Sequence, residues 1–106
     1  MNKKITYDKK NDILVIHKGF SNDERFKGNI DAGDLILDVS SKERIRGIEI
    51  MNAAQFLGNL KITKKMLENI SDAEFNANVK SSGIIIGLVL KSKNVPEVAT
   101  KIAVPI

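Results

Sequence analysis

Five carboxylates, Asp8, Asp12, Asp34, Asp38 and Glu49, fall on or beside stretches of strand-like sequence, and the one histidine, His17, stands among them. Two carboxylates held together can bind a divalent cation or share a proton, which makes Asp8, Asp38 and Glu49 a weak candidate polar cluster and a metal-dependent enzyme the least favoured reading. No tight ligand spacing accompanies them. Aspartates at turns accept backbone amides, so Asp8, Asp12 and Asp38 are expected to cap turns, and Glu49 is expected to pair with a lysine or arginine on the solvent side. A single histidine cannot build a histidine pair, a triad or a histidine-rich zinc set, and His17 is expected at the surface end of a strand. Serines stand at 21, 40, 41, 71, 81, 82 and 92, but none has a nucleophile-elbow setting or a credible base. The glycines fall at turns without a phosphate-loop pattern. With no cysteine, disulfides, thiolate metal sites and a thiol nucleophile are excluded together. The expectation is a non-enzyme with no catalytic residue, no metal and no cofactor.

The lysines are the other chemistry-bearing set. Lys61, Lys64, Lys65, Lys91 and Lys93 form a candidate basic surface, with Lys80 and Lys101 nearby on the last strands. Net charge is +4, of which residues 1–50 contribute +1 and residues 51–106 contribute +3. That is too little for a basic arm, and at 5% aromatic residues with no tryptophan the chain lacks stacking platforms. At most weak, non-specific nucleic-acid binding is expected, since lysine-coated strands also protect sheet edges.

The elements that must position these residues follow from period. Residues 5–7 and 13–16 flank the polar turn 9–12 and read as a hairpin, whereas residues 19–33, with three glycines and mixed charge, read as the most mobile segment. A second hairpin spans 35–39 and 48–50. Its alternation sends Ile48 and Ile50 to the core and Glu49 to the opposite face, so Glu49→Gln is expected to cost little. At Asn52 the period changes. Asn52, with Gln55 three residues on, approximates a capping box; a short helix starts at Ala53, with Phe56 and Leu57 toward the sheet and Gly58 just past its end. A second turn or two follows Thr63, with Ile62, Met66 and Ile70 at spacings of four. Period two returns at Ala73. The run 84–90 has no polar face, which requires cover on both sides. A last strand runs from 98 to 104, with Pro105 near its end.

These patterns predict one domain over 1–106, with strands within 3–51, a helical connection over 52–71 and three strands within 72–105. The fold class is α+β, mainly β: about seven antiparallel strands, sandwich-like or barrel-like, with one or two short helices between strands four and five. At 106 residues and 42% hydrophobic content, one modest aliphatic core is available. No apolar run reaches the roughly 20 residues of a membrane span, and residues 1–12 lack a signal-peptide core, so a soluble, cytoplasmic protein without a membrane partner is expected.

The segments Ile5-Thr6-Tyr7-Asp8, Asp12-Ile13-Leu14-Val15-Ile16, Leu35-Ile36-Leu37-Asp38 and Gly47-Ile48-Glu49-Ile50-Met51-Asn52-Ala53 occur in this order. Together they resemble the small microbial family catalogued as domain of unknown function 2283. The chain departs from that pattern in its long charged 19–33 segment and in Ala54, where a serine is frequent. The resemblance assigns no activity. Relatives encoded beside small toxin-like proteins make an antitoxin-like or regulatory role an implication of it. The function expected on all grounds is an uncharacterised protein-interaction module, with a homodimer or a small protein as partner. Its candidate interaction surface is Ile84, Ile85, Ile86, Leu88 and Leu90, since exposed contiguous apolar surface usually marks a binding site. The alternative is weak nucleic-acid binding through the lysines of the second half.

Overall fold

In the computed structural model, which describes residues 3–105, strand-forming segments alternate with tight polar turns. The strands are β1 (Lys4–Asp8), β2 (Ile13–His17), β3 (Phe26–Ala32), β4 (Leu35–Ser40) and β5 (Ile45–Met51). Two short helices follow, α1 (Ala53–Gly58) and α2 (Lys64–Glu68), and then β6 (Ile70–Lys80), β7 (Gly83–Ser92) and β8 (Val98–Pro105). The first five strands make one antiparallel sheet in the order β1-β2-β5-β4-β3; the last three make a second, β6-β7-β8.

Alternation and register together build the core. Leu14 pairs with Ile50, which pairs with Leu35, and Ile16 pairs with Ile48, which pairs with Leu37, giving two apolar rows on one face of the first sheet. In the second sheet Ile84, Ile86, Leu88 and Leu90 of β7 do the same beside Phe75 and Ile102. All of these are buried in one cluster with Leu57, Ile62 and Leu67 of the helical region. Each such side chain, fully buried, favours the fold by about 1.5–3 kcal/mol relative to exposure. Polar contacts bind the sheets at the β1–β2 side: the Lys3 ammonium lies 2.9 Å from Asp72, and that of Lys18 sits 4.5 Å from the centre of the Phe75 ring.

Four expectations are corrected. Among the described residues there are eight strands, because residues 26–32, read as mobile, pair with β4 as an edge strand; its half-buried Ile30 and Ala32 were hidden among charges. The helices consequently follow the fifth strand, and Ile70 opens β6 instead of closing a helix. The two sheets remain separate and do not close into a barrel. Asn52 does precede α1, but in the left-handed region at φ 51° and with no capping bond from its side chain. The cap comes from Asp12.

Candidate functional site

The face of the first sheet turned away from the core carries the polar residues. One row across it runs His17, Gly47, Asp38, Asn29, and the next runs Val15, Glu49, Ile36, Asp31. In the first row Gly47 is the reason two side chains meet. A methyl group there would stand 2.4 Å from the His17 ring and 2.9 Å from the Asp38 carboxylate, so only glycine leaves the slot they share. His17 Nε2 lies 3.8 Å from Asp38 Oδ2, and Asp38 Oδ1 accepts from Asn29 Nδ2 at 2.6 Å. The Gly19 amide donates to His17 Nδ1 at 2.8 Å, which places the ring proton on Nε2, facing Asp38. Phe20 meets the same ring edge-on at 4.9 Å.

Glu49 is different. It is half-buried between Val15 and Ile36, and among the described residues no hydrogen bond or ion pair reaches its carboxylate. The expected lysine or arginine partner is absent because the cross-strand positions beside it are apolar.

Asp8 stands apart from both rows. It caps its own turn, accepting from the Lys10 and Asn11 amides at 3.0 and 3.1 Å, and sits opposite Ile13 at the end of β1. The three candidates Asp8, Asp38 and Glu49 therefore share a sheet without converging. Among the described residues, no group of three or more carboxylate, histidine or cysteine side chains has metal-holding geometry.

Two polar nodes escaped sequence reasoning. In the first, Asp12 Oδ1 accepts from the Tyr7 hydroxyl at 2.6 Å and from the Ala54 amide at 3.0 Å, capping α1 from 42 residues away. The Asp12 carbonyl also accepts from the Ala53 amide at 3.0 Å. Burial, and then the bond to Asp12, push the Tyr7 phenol above its ordinary pKa, so it stays a donor. The second node is Glu24, whose side chain is fully buried. The Arg44 guanidinium donates to both of its oxygens, at 2.8 and 2.7 Å, and the Ser40 hydroxyl and the Ser21 amide donate as well. Arg44 foremost, and then Ser40, hold this carboxyl far below the usual range. A signal for it existed: Ser21 and Glu24 have the three-residue spacing at which a glutamate reaches back to a serine amide.

The lysines and the apolar run separate. Lys65 and Lys93 line one cleft between α2 and the β7–β8 loop, whereas Lys64 points to the Lys9 carbonyl in the β1–β2 turn, and Lys61 and Lys91 stand exposed outside that cleft. Of the five apolar candidates, Ile84, Ile86, Leu88 and Leu90 lie in this chain's own core. Only Ile85 faces outward, half-buried, together with Gly87 and Val89. Cover for the inner side of the run comes from within the chain, because the first sheet and the helices supply it.

Among the described residues, no helix is long and apolar enough to cross a membrane. No curated protein and no solved structure matches the chain. Residues 4–53 match the model of a family described as "Protein of unknown function (DUF2283)". That span runs from β1 through β5 to the first residue of α1, so the sheet that carries the polar rows, and the helix start that Asp12 caps, are the part of the chain that resembles this family.

Proposed function

We propose that the chain is a non-enzymatic protein-interaction module that docks its partner on the outer face of the five-stranded sheet. One observation carries this reading: Glu49 presents a half-buried, unpaired carboxylate between Val15 and Ile36. Its oxygens are open to solvent and to the cation of a second molecule, and the apolar flanks give such a partner surface to bury beside the charge pair. The partner it fits bears a lysine or arginine set among apolar side chains, and Asp31 and Asp38 on the same face favour such a partner over a nucleic acid. The hydrogen bonding of His17 supports a binding role. Nδ1 spends its lone pair on the Gly19 amide and Nε2 turns its proton to Asp38, leaving no free nitrogen for a general base.

The test is capture of partners from the source cells with wild-type and Glu49→Lys chains, both shown to be folded by circular dichroism. A partner held by the wild type and released by Glu49→Lys supports the reading; no partner, or one held equally by both, refutes it. A regulatory role, antitoxin-like included, follows if that partner is an enzyme whose activity falls on binding.

A second reading is a homodimer through the outer face of β7, where Ile85 and Val89 lie beside Ala103 and Ala99, and where Lys101 opposite Gly87 and Glu74 opposite Val89 are charges of opposite sign that a twofold copy can pair. Light scattering decides it: a mass of two chains that falls to one in Ile85→Lys is the expected result, and a monomer at every concentration excludes it.

A further inference from the structure

The cleft between α2 and the β7–β8 loop has a volume of about 590 Å³ and is lined by Thr63, Lys65, Met66, Asn69, Ser92, Lys93, Asn94 and Val95. Its shape is held by the backbone. The Ser92 hydroxyl donates to the Met66 carbonyl at 2.8 Å, the Lys93 amide donates to the Asn69 carbonyl at 3.1 Å, and Asn94 turns the loop at φ 64°. The lining contains two cations and no acid. Neither ammonium has an ion-pair partner among the described residues. Glu68, on the same helix, is not among the residues that line the cleft. The floor is apolar: Met66 is half-buried, and Val95 keeps 41% of its surface exposed, one of three large hydrophobic residues exposed among those described.

We propose that this cleft binds a short acidic peptide segment, an apolar side chain resting on Met66 and Val95 while flanking carboxylates meet Lys65 and Lys93. A cleft of this size is ample for such an anchor. A nucleic acid fits it less well. No aromatic ring lines the cleft for a base to stack on, and an apolar floor has nothing to gain from a phosphate backbone. The site is independent of the outer face of the first sheet, and the two can fail separately.

The probe is a fluorescein-labelled, end-capped octapeptide alternating aspartate with leucine, titrated with the full chain at low salt and followed by anisotropy. Saturable binding is expected. The Lys65→Glu/Lys93→Glu double variant should weaken it about tenfold, the scale of two reversed exposed ion pairs. Val95→Ser should also weaken it, with no change in charge. Lys80→Glu/Lys101→Glu makes the same change of net charge elsewhere and should leave binding within about twofold. Glu49→Lys should leave it unaltered. All six substitutions in these four variants fall on exposed or half-buried side chains, and melting curves check that each variant is folded. No binding by the wild type, equal losses from the two lysine pairs, or indifference to Val95→Ser overturns the proposal. Tighter binding of a single-stranded oligothymidylate that Lys65→Glu/Lys93→Glu abolishes would reassign the cleft to nucleic acid and overturn it equally.

Discussion

At the scale of single residues, the first sheet depends on a carboxylate placed at distance and on a side chain that is missing. Asp12 itself adopts a left-handed conformation, at φ 57°, which aspartate and asparagine tolerate better than most residues. Asp12→Ala removes the cap of α1 and adds backbone strain, so it should lower stability by about 1–2 kcal/mol in urea unfolding. Asp12→Asn, which keeps an acceptor and the turn preference, should recover much of that. Gly47→Ala should force the His17 ring off the Gly19 amide, with a cost of about 1–3 kcal/mol typical of overpacking; a shifted His17 ring resonance in the NMR spectrum would report the displacement. Glu49→Gln removes a charge that nothing in the chain satisfies and should leave the thermal midpoint unchanged or raised. The parity that sends Glu49 outward was readable from Gly47-Ile48-Glu49-Ile50 alone. The row His17–Gly47–Asp38 was not, since it forms only when β2, β5 and β4 lie side by side in one register. The capping of Ala54 by Asp12 was hidden for a related reason: local sequence offered Asn52 for the task, and the chain used a residue from another hairpin.

Among elements, β3 and the segment before it show how charge conceals order. Glycines and mixed charges at 19–33 imitate a mobile loop, yet Glu24 ties this stretch to the β4–β5 turn through Arg44 and Ser40, and Lys42 reaches Asp23 beside it. The ties are electrostatic and therefore depend on pH. Because the folded state depresses the Glu24 pKa, its contribution is fully present above the unfolded value near 4.5 and is lost as pH falls below it. Melting curves between about pH 3 and 7 should show the midpoint of the wild type dropping on the acid side. Glu24→Gln should start lower at neutral pH and drop less, converging on the wild type in acid. Asp8, Asp23 and Asp72, held low by their own hydrogen bonds, supply the remaining slope. The strands themselves were legible where apolar residues alternated, as in β4, β5 and β6, and where a β-branched run followed a polar turn, as in β2. They were illegible in β3, where a single buried side gives only Ile30 and Ala32 to read.

The whole molecule is divided in sequence as it is in space. Five strands come from the first 51 residues and three from residues 70 to 105, with the helices between. Every strand pair but one joins neighbours in the chain, the exception being β2 with β5. Local pairing of this kind favours early formation of the first sheet. Its inner face, Leu14, Ile16, Leu35, Leu37, Ile48 and Ile50, nevertheless needs the second sheet to cover it. A fragment ending at Gly58 should therefore form strands by circular dichroism while binding a hydrophobic dye and associating as concentration rises; a well-behaved monomer that excludes the dye would show that this sheet stands alone. The same division matters on the ribosome. Hairpins close in about 1–10 μs, whereas the chain beyond the first sheet takes roughly 3–10 s to be synthesised. A newborn chain thus presents the greasy inner face of its first sheet before the strands that cover it have been made, an interval in which a nascent-chain chaperone has a defined surface to shield and slowed translation near the α1–α2 turn would lengthen the exposure.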